Sequence, residues 1–180
     1  MITTKEIQQL KEKTQQEQID FICERYNIKD KEGVEFAFND HNAIENLEKI
    51  LPIFDTTKDK SGEDFCCIAG AYKQKNAEEN FKNIWEDFKL LESKSGLDFC
   101  YIAIAYDEHN AGKNRKEILE DFRLSENKNG LNFLYIAVAY DKENAIENRE
   151  EILEDFNKIN DKSGWSFLRI AIEKNKNKIN

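Results

Sequence analysis

The chain holds a single proline, a single methionine, seven glycines and two histidines among its 180 residues. So little proline and glycine excludes a turn-rich β fold and leaves long helices as the element it can build. The four cysteines, Cys23, Cys66, Cys67 and Cys100, contain no CxxC pair. With only His41 and His109 beside them, a zinc site lacks its ligand spacing. They read as buried free thiols, which implies a reducing compartment. No apolar run is long enough to span a bilayer, the longest being FCYIAIAY from Phe99 to Tyr106. A surplus of positive charge is also missing: 27 basic residues face 36 acidic ones, a net charge of −9. That balance excludes a non-specific grip on nucleic-acid phosphates, which needs a basic footprint. The opening stretch MITTKEIQQLKEKTQQEQ carries no apolar core of a secretory signal, so a cytoplasmic location, in the source cell or in a host cell, is expected.

What is present in quantity is aromatic and periodic. Twelve Phe, six Tyr and two Trp supply buried area that a disordered chain does not have. Gly62, Gly96, Gly130 and Gly164 follow one another at intervals of 34 residues, and Asn-Ala-x-x-Asn recurs from Asn42, Asn76, Asn110 and Asn144 in the same register. Self-similarity at a fixed period marks a stacked array. Each unit reads as two helices. The first carries apolar residues such as Phe99, Ile102, Ala103 and Tyr106 at helical spacing, and the second sets Ile118, Leu119 and Phe122 on one face.

Asn42, Asn76 and Asn144 each precede a glutamate by three residues, Glu45, Glu79 and Glu147, a capping-box pattern that predicts helix starts there; Lys113 breaks the box after Asn110. Ser61, Ser95, Asn129 and Ser163 stand before the four glycines, so either they cap a first helix or the glycine closes the preceding element. Thr3 with Glu6 and Thr14 with Glu17 predict further amphipathic helices carrying Ile7, Leu10, Ile19, Ile22 and Tyr26. A degenerate first helix is expected around Lys31 to Asp40, and Pro52 is expected to kink the helix after it or end it early.

The predicted fold class is therefore all-α: an α-solenoid of 34-residue two-helix repeats with an N-terminal helical extension. Residues 1–27 form the extension and 28–180 the array, with units at about 28–61 (degenerate), 62–95, 96–129, 130–163 and a half-repeat cap at 164–180.

The stretch INDKSGWSFLRIAIEKNK resembles an ankyrin repeat, with Gly164 leading to Leu168, Ile170 and Ala171 and Gly130 leading to Leu134, Ile136 and Ala137. It departs from that family in having no Thr-Pro-Leu-His and in replacing the tight turn between helices by YDKENAIEN. The spacing of Phe99, Ile102, Ala103 and Tyr106 is similar to the first helix of a tetratricopeptide repeat, although the second-helix Ala and closing Pro are missing. Either resemblance implies a protein-binding scaffold without chemistry or cofactor of its own, and fold alone does not assign function.

Equivalent residues of an array form columns. Asn46, Asn80, Asn114 and Asn148 are expected as a buried ladder bonded to neighbouring backbone. Cys67, Tyr101, Tyr135 and Arg169 vary along a first-helix column that includes interface-anchoring residue types, and are the expected partner-binding residues. Glu86, Asp87, Glu120, Asp121, Glu154 and Asp155 make a repeated acidic pair, read either as a face for a basic target or as a solvated surface neutralised by Lys60, Lys94, Lys128 and Lys162. His41 and His109 read as loop residues. No nucleophile–base pair, phosphate loop or catalytic carboxylate pair has a recognisable context, so an enzyme is not expected. The expected function is binding to another protein. The alternatives are an acidic decoy that blocks a nucleic-acid-binding site on an enzyme and a self-associating array.

Overall fold

The computed structural model describes residues 2–73 and 79–179, and every element among them is helical. In chain order these are α1 (Thr4–Lys11), α2 (Gln15–Tyr26), α3 (Glu32–Asp40), α4 (Ala43–Phe54), α5 (Gly62–Ala71), α6 (Phe81–Lys89), α7 (Gly96–Glu108), α8 (Arg115–Phe122), α9 (Gly130–Lys142), α10 (Arg149–Lys158) and α11 (Gly164–Ile179). A short 3-10 turn, Ala111–Asn114, leads into α8. Helices α3, α5, α7, α9 and α11 lie side by side, each against the next. Helix α4 packs on α5, α6 on α7, α8 on α9 and α10 on α11, while α2 lies on α3 and α1 on α4. One continuous apolar core runs from Ile2 to Ala171. Among the described residues no helix is long and apolar enough to cross a membrane.

The core is held by one aromatic contact made four times. Phe54 meets Phe65, Phe88 meets Phe99, Phe122 meets Phe133 and Phe156 meets Phe167, all edge to face with centroids 5.4–5.6 Å apart. A second contact stacks Tyr106 on Phe133 and Tyr140 on Phe167, each at 6.4 Å, and Phe38 on Phe65 at 6.2 Å. Such pairs add about 0.5–1.5 kcal/mol each beyond their buried area. Phe38 thus occupies in α3 the place that tyrosine takes later, which keeps α3 in register although it starts about one turn late.

The glycines serve close approach and not a turn, since no glycine among the described residues has a positive φ. A Cβ on Gly96 would lie 2.2 Å from the carbonyl oxygen of Asp64, one on Gly130 2.3 Å from that of Asp98, and one on Gly164 2.4 Å from that of Asn132. The helix before them therefore touches them backbone to backbone. Ser61, Ser95 and Asn129 are the caps, their side chains accepting from the amides of Asp64, Asp98 and Asn132. That decides between the two readings of these positions. Each junction is also bridged by a side chain: Gly96 N–H donates to Asp64 Oδ1 (2.6 Å), Gly130 N–H to Asp98 Oδ1 (2.7 Å) and Gly164 N–H to Asn132 Oδ1 (2.9 Å). The loops add backbone bonds of the same kind, from Lys58, Glu92 and Glu126 N–H to the carbonyls of Lys94, Lys128 and Lys162.

Other local expectations fare unevenly. Thr3 with Glu6 and Thr14 with Glu17 form full capping boxes. Helix α4 starts directly after Asn42 as expected, but neither Asn42 nor Asn144 makes a side-chain cap bond. Together with Asn110 they sit in the left-handed region, at φ 49°, 51° and 46°, where asparagine is the best-tolerated non-glycine residue. Their role is to reverse the chain, and α8 and α10 begin a turn later, at Arg115 and Arg149. Asn76 lies outside the described residues. Pro52 does not end its helix, which runs to Phe54; its ring is on the solvent side, with Leu51 and Ile53 buried on either side.

Candidate interaction face

Helices α7, α9 and α11 use one side for the core and turn another outward, where Tyr135, Val138 and Ile172 still pack partly against the core. The free stripe of α7 carries Leu97, Tyr101 and Ile104. That of α9 carries Leu131, Tyr135 and Val138, and that of α11 carries Trp165, Arg169 and Ile172. These positions, at i, i+4 and i+7, share one helix face. Leu97 is 43% exposed and Trp165 52%, and the remaining apolar members are half-buried. Tyr135 and Trp165 meet edge to face at 5.4 Å, which joins α9 to α11 within the stripe. On α5 the stripe changes character to Glu63, Cys67 and Gly70. Phe36, Leu90, Leu124 and Ile146 are exposed elsewhere on the molecule, so what distinguishes this stripe is its recurrence at equivalent positions of three adjacent helices.

The expected partner-binding residues lie on this face together. Tyr101 and Tyr135 stand in its middle and Arg169 is exposed at its α11 end. Cys67 is half-buried at the α5 end. Burial pushes its thiol up to about 12, so it is neutral and unreactive at physiological pH. Leu97, Leu131 and Trp165 were not singled out from the sequence, although they recur one residue after each glycine and that spacing could have found them.

The acidic columns are taken apart by the fold. Asp87 and Asp121 are 1% and 0% exposed, so they belong to no acidic surface. Arg115 Nη2 and Nε donate to Asp87 at 2.5 and 3.1 Å, and Tyr106 Oη donates to its other oxygen at 2.6 Å. Arg149 and Tyr140 repeat the arrangement on Asp121 at 2.6, 3.1 and 2.6 Å. The carboxylates hold both guanidinium groups above their ordinary range. Burial first, and then the bond to the aspartate, pushes the Tyr106 and Tyr140 hydroxyls well up. Glu86 and Glu120 remain at the rim, reaching the same arginines at 3.3 and 2.9 Å. Glu154 pairs with Lys158 at 2.8 Å and Asp155 with Lys174 at 2.7 Å.

Three of the repeated lysines, Lys60, Lys128 and Lys162, bond backbone carbonyls and not these acids. Lys60 donates to the carbonyls of Asp55 and Thr57, Lys128 to that of Ser125 and Lys162 to that of Phe156. Lys60 and Lys162 thereby reach the C-terminal ends of α4 and α10, where cations suit the helix dipole, and Lys128 reaches the turn that follows α8. Lys60 and Lys162 also lie over the rings of Phe54 and Phe156. The asparagine column is likewise no buried ladder. Asn46, Asn80 and Asn114 are half-buried. Asn148 is buried with Oδ1 unpartnered, and Asn80, Asn114 and Asn148 precede α6, α8 and α10 without a side-chain cap.

His41 sits beside Gly70 at the end of α3, and burial lowers its pKa. His109 Nδ1 lies 3.1 Å from Asp141 at the end of α7. The latter pair borders an open notch of about 340 Å³ between Asn110 and Asn144, lined also by Lys113 and Tyr140. Among the described residues no His, Cys, Asp and Glu group is placed to hold a metal ion. No known family model matches the chain, and no curated protein or solved structure is significantly similar to it.

Proposed function

We propose that the chain is a solenoid of 34-residue two-helix units, ankyrin-like or tetratricopeptide-like, that binds another protein through the free face of its first helices. It is a binding module without catalysis or cofactor, working in a cytoplasm. The observation that carries the reading is the aromatic and aliphatic stripe across α7, α9 and α11, with Trp165 half exposed in a strongly acidic, otherwise well-packed molecule. Tyrosine, tryptophan and arginine are the residue types that anchor interfaces. The recurrence of the phenylalanine contacts and glycine junctions supports the repeat reading. An acidic decoy has less to stand on, because Asp87 and Asp121 are interior.

The test is affinity capture with salt-step elution, comparing the parent chain with a Tyr101→Ala/Tyr135→Ala variant of unchanged circular dichroism. A partner held through high salt by the parent and lost by the variant is expected. A partner kept by the variant, released early by salt and lost on Glu120→Lys/Glu154→Lys would replace this reading with the acidic one.

A further inference from the structure

Where tyrosine stands in the middle of the free stripe on α7 and α9, α11 carries Arg169. It is exposed and makes no hydrogen bond or ion pair among the described residues; behind the Ser166 and Ser163 hydroxyls, its charge also helps to hold the Asp161 carboxyl below its usual range. Trp165 precedes it by four positions and Ile172 follows by three, so Arg169 stands between apolar residues along one helix face. An unpaired arginine in an apolar strip, on a chain of net charge −9, marks a place for a carboxylate brought by something else. At the other end of the same strip, α5 presents the exposed acid Glu63. The strip is therefore acidic at one end, apolar in the middle and cationic at the other.

We propose that this face takes an extended segment of a partner protein, with apolar side chains at every third position, a carboxylate seated on Arg169 and a basic residue over Glu63. This rests on the reading of the face as a partner-binding surface. The period follows from geometry. Helices packed side by side lie about 8–10 Å apart. A polyproline-type strand turns once in three residues and rises about 3.1 Å per residue, so it repeats a face about every 9.3 Å. Such a strand laid across α7, α9 and α11 puts one side chain against each stripe. From α5 to α11 there are three such steps, which sets the basic and acidic residues about nine positions apart. A helical ligand fits less well. Its intermediate side chains need a valley between neighbouring first helices, and the backbone contacts at Gly96, Gly130 and Gly164 close that valley at one end.

A random twelve-residue peptide library displayed on phage, selected on the purified full chain, tests this. Enriched peptides are then synthesised and their Kd measured by fluorescence anisotropy on the parent and on folded Tyr135→Ala, Arg169→Glu and Glu63→Lys variants. The expected peptides carry Lys or Arg at i, apolar residues at i+3 and i+6, and Asp or Glu at i+9, or the same order reversed. They lose binding on Tyr135→Ala and weaken by about tenfold or more on Arg169→Glu and on Glu63→Lys, as charge-assisted bonds at both ends require. Exchanging the peptide carboxylate for lysine restores affinity to the Arg169→Glu variant. Peptides that need Tyr135 but are indifferent to Arg169, or that carry apolar residues at helical spacing, overturn this inference and keep the binding face. Peptides indifferent to Tyr135, or no enrichment at all, overturn both.

Discussion

One interior slot is filled in two ways along this molecule. Between α4, α5 and α6 it holds Ile53, Tyr72 and Phe81. Ile53 is fully buried, Tyr72 meets Phe81 at 5.8 Å, and the Tyr72 hydroxyl donates to the Lys49 carbonyl at 3.4 Å. One and two units further on, the same places hold Asp87, Tyr106 and Arg115, then Asp121, Tyr140 and Arg149, tied by short charge-assisted bonds. The tyrosine is common to both and the pair around it changes as a set. That coupling is what electrostatics demands. A buried carboxylate without its arginine strands a charge, whereas an apolar pair of similar volume costs little. The ion pairs and the apolar pair are thus two ways of filling equivalent places in this layer.

The largest effect should come from breaking the set. Arg149→Met leaves Asp121 buried with only Tyr140 for company, and a loss of about 3–5 kcal/mol is expected by chemical denaturation. A loss under about 1 kcal/mol would mean that water reaches Asp121. The next effect concerns what the two regions share. Gly62→Ala in the apolar region and Gly130→Ala in the ionic one should each cost about 1–3 kcal/mol, because the new methyl meets backbone that has no rotamer to change. Gly112→Ala is the control, since its nearest neighbour would be 3.6 Å away, an ordinary contact. The smallest effect sharpens the comparison most. Asp121→Ile/Arg149→Phe installs the Ile53 and Phe81 solution in the later unit, and its stability should fall within about 1 kcal/mol of the parent or above it. A loss as large as that of Arg149→Met alone would show that the two slots differ in shape and not only in charge.

The sequence showed the helices and their period because both are local or periodic properties. Phe99, Ile102, Ala103 and Tyr106 repeat at helical spacing, and Thr3 with Glu6 is a contact three residues long. The errors share a cause as well. Asn42 and Asn144 read as caps because a capping box and a left-handed asparagine use the same residue near the same glutamate, and only φ separates them. Asp87 and Asp121 read as surface because the arginines that bury them stand 28 residues downstream, and nothing in the spacing says that a carboxylate and a guanidinium so far apart will meet.

Alternation of apolar and polar residues at a helical period, with glycine at a fixed interval, thus determined by itself that the chain is helical and where most helices lie. Burial is decided between helices, by what the next one brings across the gap. Only the tertiary structure settled that the glycines serve backbone contact, that repeated lysines bond backbone carbonyls, that two repeated acids are interior, and that Leu97, Tyr101, Tyr135 and Trp165 share one outward face.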